Sequence, residues 1–256
     1  MLRNDDGIPT RVPDDWYVGF HAGLAARFWR AAGAAMADAD EQVLQRVLGG
    51  TPGALLDVPC GDGRLALRLA RAGWRVTGID LAPAEVELAR DRARAEALDA
   101  TFLVGDLREL PHVGGFDVVL SWGNGFGYLT PAETTTSLRG LRDALRPGGR
   151  LVLETLTAAE SLLVGGIEAA AAHEFGGIRM EVTNRYRAEE SRLESDLRFE
   201  ADGVVEHARV AHRVHTTGEL VRLLLGAGFA EVDLRGPDGI APFALGDPRL
   251  IAVARA

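Results

Sequence analysis

The chain has one cysteine, Cys60, in 256 residues, so no disulfide can form within it. No apolar run approaches the roughly 20 residues that cross a bilayer, and no membrane partner is expected. The opening MLRNDDGIPTRVPDDW is polar and acidic and lacks the charged-then-apolar layout of a secretory signal. Together these absences set the expectation of a cytoplasmic protein. A concentrated basic face is also missing: the arginines are scattered among acids and the net charge is −9. Binding to nucleic acid requires such a face to displace counterions, so no nucleic-acid partner is expected. There is no Gly-Lys-Ser/Thr phosphate loop and no Gly-x-Ser-x-Gly elbow. His212 and His215 differ by three positions, which in a strand sends them to opposite faces. No metal site is predicted.

Hydrophobic residues make up 47% and charged residues 25%, enough apolar material for the core of one large domain. Residues 1–15 read as a flexible arm with Pro9 and Pro13. From Asp15 to Leu48, Trp16, Phe20, Leu24 and Phe28 fall one turn apart and predict a helix, broken at Gly49-Gly50-Thr51-Pro52-Gly53. Strand and helix signals then alternate. Strands are predicted over Ala54–Val58, Arg75–Ile79, Ala100–Val104, Phe116–Ser121 and Arg150–Leu156, and helices over Gly63–Ala72, Ala82–Ala97 and Thr130–Leu145. Such alternation implies a parallel sheet covered by helices on both faces.

The rhythm then changes. Arg179–Arg187, Arg192–Ala201 and Val204–His215 read as charged antiparallel strands, the last two joined by a hairpin at Ala201-Asp202-Gly203. A helix over Thr217–Ala227 and strands over Glu231–Arg235 and Leu250–Ala254 close the chain. The expected fold class is α/β: a Rossmann-like, doubly wound seven-stranded sheet with N-terminal helices and a small antiparallel β cap inserted after strand five. The expected division is an arm and helical lid over 1–50, a cofactor-binding core over 51–160 and 216–256, and a cap over 161–215.

The stretch LLDVPCGDGRLALRLA, Leu55 to Ala70, carries the chemistry. Gly61 and Gly63 let a ligand approach the backbone, and the run from Gly61 to Ala66 satisfies G-x-G-x-x-A, which alone fits a dinucleotide and a nicotinamide dehydrogenase. Asp57 changes the weighing. A carboxylate at the end of strand one repels a pyrophosphate and attracts an ammonium, while the following helix N-terminus favours an anion. A zwitterionic amino-acid head satisfies both. Asp80, closing Val76-Thr77-Gly78-Ile79-Asp80, suits ribose hydroxyls. Asp106, in Gly105-Asp106-Leu107, is placed to accept from an adenine amine. Amino acid, ribose and adenine together describe S-adenosyl-L-methionine (SAM).

LDVPCGDGR, TGIDLAP, GDLREL, FDVVLSWGNGFGYL and LRPGGRLVLETL, in that order, resemble the class I SAM-dependent methyltransferases. The strands inserted after strand five are similar to those of small-molecule N-methyltransferases acting on amino sugars and on glycine or sarcosine. The resemblance implies that Asp57, Pro59, Gly61 and Gly63 hold the methionine part, Asp80 and Leu81 the ribose, and Asp106 and Leu107 the adenine. Ser121 and Trp122 would flank the sulfonium, with Tyr17 and Trp29 lidding the cofactor. Pro59-Cys60 departs from the small pair many members carry. Phe20, Trp122, Asn124, Phe126, Tyr128 and Arg213 are the expected acceptor contacts, with His212 as base and Tyr128 as its alternative.

The expected activity is methylation of a small molecule, on an amine nitrogen first, with oxygen or carbon as alternatives. SAM chemistry other than methyl transfer, or a SAM-binding module without turnover, are the rival readings. An acidic acceptor cavity would favour amines; a neutral aromatic one would favour phenols or carbon acceptors. The charged strands and the arm would serve a homodimer.

Overall fold

The computed structural model describes residues 11–110 and 114–256. Its larger sheet runs in the order β10-β11-β5-β4-β1-β2-β3. The strands are β1 Ala54–Asp57, β2 Arg75–Asp80, β3 Ala100–Val104, β4 Phe116–Ser121, β5 Leu145–Thr155, β10 Glu231–Arg235 and β11 Leu250–Arg255. Strands β1 to β5 pair in parallel, whereas β11 pairs antiparallel with both β5 and β10. The winding reverses at β1, which has β2 on one side and β4 on the other. In an open parallel sheet the crevice beyond the carboxyl ends at such a point is where ligands sit. Helices α1 Gly23–Leu48, α2 Arg64–Arg71, α3 Pro83–Ala95, α4 Pro131–Ala144 and α6 Thr217–Gly226 complete the main domain, and a single turn, α5 Ala159–Leu162, leads to the cap. None of the described helices is long and apolar enough to cross a membrane.

The sequence reading of the seven strands holds, with three local corrections. First, the N-terminal helix does not begin at Asp15. A short 3-10 turn over Trp16–Val18 comes first, and α1 starts only at Gly23. Gly23 has φ +54, and the Glu206 carboxylate accepts the Leu24 N–H at 2.8 Å, capping the helix from the cap sheet. Second, the cap has four strands, ordered β6-β7-β8-β9, with β7 Ile178–Arg187, β8 Arg192–Ala201 and β9 Val204–Arg213. The extra edge strand, β6 Ala170–Phe175, is rich in alanine and carries no β-branched residue, so its own preferences do not announce a strand. Third, β5 begins at Leu145, before the Pro147-Gly148-Gly149 step.

The flexible-arm reading of residues 1–15 meets the structure only in part, since residues 1–10 lie outside those described. Residues 11–14 are tied down. Val12 is buried, its N–H donates to Glu194 at 3.2 Å, and Arg192 donates to its carbonyl at 2.8 Å. Arg11 pairs with Glu190 at 3.0 Å.

Gly78 of β2 shows how tightly the sheet packs beside the site. A Cβ there would overlap the Phe102 ring and sit 3.0 Å from Cys60 Sγ. Gly78→Ala is expected to lower stability by about 1–3 kcal/mol in a urea titration. Gly19→Ala, with open space around it and ordinary φ, is expected to change little.

Candidate functional site: the crevice above β1 and β4

Leu55 and Leu56 of β1 are fully buried, and the strand ends at Asp57, itself 2% exposed. Beyond it the turn hangs between two neighbours: Val58 N–H donates to Leu120 O of β4 and Cys60 N–H to Ile79 O of β2, both at 2.9 Å. The two glycines of the turn do different work. Gly61, at φ +54, has nothing within 4 Å of where a Cβ would stand, so its backbone is bare toward open space. At Gly63 a Cβ would meet Ala89 and Phe102; this glycine lets α3 and β3 close on the turn. Pro59 packs under the next loop, its ring 2.8 Å from the Cβ position of Gly125.

Three acids stand along one rim. Pairing sets Asp57 against Gly78 and Asp80 against Val104, so Asp57 and Asp80 stand at or near the ends of adjacent parallel strands, with Asp106 just after β3. Burial pushes the Asp57 carboxyl up to about 8; Arg64 opposes that rise and Asp80 adds to it. A carboxyl so placed gains from an ammonium partner. Asp80 accepts the Gly61 N–H at 2.7 Å and the Ala82 N–H at 2.9 Å, so it fixes the bare turn while keeping a second lone pair on each oxygen. Asp106 is gripped by Arg108, whose Nη2 lies 2.6 Å away. Burial works to raise the Asp106 carboxyl, but the hydrogen bonds from Arg108 prevail and hold it below its usual range. Leu81 is half-buried beside Asp80, and Leu107 packs partly on the core beneath.

The Trp16–Val18 turn closes over this rim and meets the cap and the loop after β4. Tyr17 stacks on Tyr128 at 5.9 Å between centroids, Trp16 lies edge-on to Tyr128 at 4.7 Å, and His212 is 5.1 Å from Tyr128 and 5.8 Å from Trp16. Arg108 lies 5.7 Å over the Tyr17 ring, which links the lid to Asp106. Trp16 Nε1 and Tyr17 Oη are buried without a hydrogen-bond partner among the described residues. Buried polar atoms of this kind are normally satisfied, and a polar ligand beneath the lid would satisfy these. Burial pushes the His212 imidazole down to about 4 and the Tyr128 phenol up to about 12, so both are neutral near pH 7.

The segment from β1 to the end of the α4–β5 step, residues 55–149, matches the family described as "Methyltransferase domain". The chain is 34% identical over 156 residues to a 27-O-demethylrifamycin SV methyltransferase of Amycolatopsis mediterranei, covering 58% of this chain and 55% of that one. It is 35% identical over 144 residues to a demethylmenaquinone methyltransferase of Deinococcus radiodurans, covering 55% and 54%. The chain thus spans about half the length of these curated relatives. Similarity of fold runs further. The CcbJ methyltransferase of Streptomyces caelestis superposes with a TM-score of 0.77 over 96% of this chain and 99% of that one, at 18% identity. A sugar N-methyltransferase of Streptoalloteichus superposes with a TM-score of 0.67 over 100% and 99%, at 20% identity. The chain therefore shares the fold of SAM-dependent methyltransferases.

The candidate residues separate into two groups. Asp57, Gly61, Asp80, Asp106, Tyr17, Tyr128 and His212 gather at the crevice and its lid. Phe20 joins them edge-on to Trp16 at 5.3 Å and also lines a cavity of about 350 Å³ between the start of α1 and β9. The others have structural duties. Phe126 is buried in the core with Leu138 and Leu153. Asn124, at φ +70, accepts through Oδ1 from Thr155 Oγ1 and Leu156 N, each at 3.1 Å, and so fastens its loop to β5. Arg213 donates to Leu129 O at 3.0 Å. Trp29 stands on the outside of α1, 39% exposed and edge-on to Phe28. Ser121 and Trp122 are buried, with Trp122 under the Arg249 guanidinium at 5.3 Å. No group of side chains suited to a metal occurs among the described residues. His21 was missed. Its ring lies edge-on to Phe20 at 5.1 Å, and burial holds its imidazole below the usual value while Asp80 opposes that shift; it stands between the Trp16–Val18 turn and α1, a break that helical spacing did not reveal.

Proposed function

We propose that the chain is a SAM-dependent methyltransferase acting on a small-molecule amine. The observation that carries this reading is the rim itself: a buried acid, a bare glycine and two further acids at successive strand ends. Asp57 would meet the ammonium of SAM, the bare backbone at Gly61 its amino-acid part, Asp80 the ribose and Asp106 the adenine. Bound SAM supplies an electrophilic methyl group. Tyr17 and Trp16 close the site against water, with two buried polar atoms free for the ligands. Methyl transfer is an in-line displacement, and the protein's main contribution is alignment.

Neutral His212 would accept a hydrogen bond from the acceptor N–H and so turn its lone pair inward. The nest of Trp16, Tyr17, Tyr128 and His212 favours an uncharged amine on entry, because burial penalises the ammonium, and its aromatic faces suit the cationic product. The neighbours that match nearly the whole chain include an amino pentose methyltransferase of Micromonospora echinaspora, solved with SAM bound, and the sugar N-methyltransferase above. The neutral aromatic lining is of the kind expected from the sequence to favour phenols or carbon acceptors, so a phenolic acceptor is the second reading; the relatives include O-methyltransferases.

The test is calorimetry with SAM, then mass-spectrometric detection of S-adenosylhomocysteine across amines and phenols. SAM binding and acceptor-dependent S-adenosylhomocysteine are expected; NADH binding in place of SAM would overturn the reading. With an amine, KM for total amine is expected to fall about tenfold per pH unit up to the amine's own pKa, because only the free base reacts.

A further inference from the structure

Four charged side chains form a largely buried alternating chain. Arg64, the residue after Gly63, reaches back to Asp40 of α1, with Nη1 2.8 Å from Oδ2. The other oxygen of Asp40 meets Arg249 Nη1 at 2.9 Å, and Arg249 Nε lies 3.2 Å from Glu154 at the end of β5. Glu154 Oε2 then accepts the Gly123 N–H at 2.9 Å. The Asp40 and Glu154 side chains are 2% exposed, Arg249 19% and Arg64 22%. The chain therefore begins at the turn after β1 and ends at the turn after β4, the two turns on either side of Asp57. Room for it is made on purpose at α1: a Cβ on Gly33 would sit 3.0 Å from Arg64 Cδ and Nε.

Stability alone does not account for the arrangement. Buried ion pairs often gain little over apolar side chains of similar volume, because four desolvated charges must first be offset. The chain does, however, present one cation to the rim. Arg64 opens the helix that follows the Asp57 turn, and its charge opposes the rise of the Asp57 carboxyl while Asp80 adds to it; Cys60 lies in the turn between them. Arg64 alone is positive.

We propose that Asp40, Arg64, Arg249 and Glu154 are positioning residues of the SAM site, a charge chain that ties the Gly63 turn to the Gly123 turn and holds the Arg64 cation at the end of the turn that follows Asp57. The proposal rests on the SAM reading above. Arg64 favours the Asp57 carboxylate, Asp40 shares that cation with the rest of the chain, and Arg249 with Glu154 fixes the far turn. Arg64→Met leaves Asp40 still paired with Arg249, so no buried charge is orphaned.

The test is the ionisation midpoint of Asp57, read in the ligand-free protein by carboxyl ¹³C NMR, and the pH dependence of SAM binding by calorimetry. Arg64→Met is expected to raise the midpoint by about one pH unit and to weaken binding about tenfold below it. Arg64→Lys is expected to restore both. Asp40→Asn, which leaves Arg64 unshared, is expected to move the midpoint down. A midpoint unchanged in Arg64→Met, or equal effects of Met and Lys, would overturn the proposal. Should Asp40→Asn fail to fold, the two Arg64 variants decide alone. Failure of the wild-type protein to bind SAM would sink the SAM reading, and the proposal that rests on it; the NMR midpoint separates that failure from a failure of the Arg64–Asp57 coupling.

Discussion

Asp57→Asn is expected to weaken SAM binding by about two to three orders of magnitude near pH 8 while making the ligand-free protein more stable. Both effects follow from burial, which pushes the carboxyl up to about 8. Binding needs the carboxylate opposite an ammonium. Below pH 8 the wild-type site must first lose a proton, so affinity is expected to fall about tenfold per pH unit toward acid, with close to one proton released per SAM bound at pH 6.5. Asparagine cannot ionise, and the acid limb should vanish with the affinity. For stability the sign is opposite. The folded-state value lies above the unfolded one, so the folded protein holds the proton more tightly. The contribution is fully present below the ordinary carboxyl value of 3.8 and is lost as pH rises toward 8. The wild-type unfolding free energy should therefore fall relative to Asp57→Asn across that window, by up to about 1.4 kcal/mol per pH unit, and its Tm with it. Comparing the two proteins cancels the other titrating groups. Equal Tm profiles together with unchanged SAM affinity would remove Asp57 from the site.

That Asp57 could be singled out from the sequence is a matter of local order. A strand of four buried residues followed by glycines leaves one place for a carboxylate, and Asp80 and Asp106 repeat the placement two strands along. Parallel strands end on the same edge, so residues far apart in sequence fall on one rim by topology alone. The hairpin at Asp202-Gly203 was legible for a similar reason: both residues take positive φ, which their types permit.

The rest was hidden because it depends on direction or on distance. Phe126 and Tyr128 are two residues apart in one 3-10 turn, yet Phe126 enters the core and Tyr128 the lid. An aromatic beside glycines carries no mark of which way it will turn. Asn124 has the composition of a substrate contact, but its amide oxygen is occupied by β5 and the residues just after it. The Arg64–Asp40–Arg249–Glu154 chain joins α2, α1, the approach to β11 and β5, elements with no shared sequence pattern. Glycine at position 33 was its one local trace, and inside an alanine-rich helix it reads as nothing more than a small residue.

His212→Ala is expected to lower kcat about a hundredfold or more and to leave SAM affinity within a few-fold of wild type. His212 stands in the nest between Trp16 and Tyr128, so its loss should be felt at the acceptor. Burial is the sole cause that holds its imidazole near 4. The side chain is thus neutral wherever the protein is folded and active, and its free nitrogen is available to accept the acceptor's proton or orient it. No acid limb from His212 is expected in kcat between pH 5 and 8; any such limb belongs to Asp57 or to the amine. The folded value lies below the unfolded 6.5, so its stabilising contribution is present above 6.5 and is lost as pH falls through 4. His212→Ala should accordingly lose less stability than wild type on acidification across that window. Parallel losses in kcat and SAM affinity would make His212 a wall of the site, whereas unchanged kcat would pass the role to Tyr128. Tyr128→Phe keeps the ring stacked on Tyr17 and removes only the hydroxyl, so it separates those two roles.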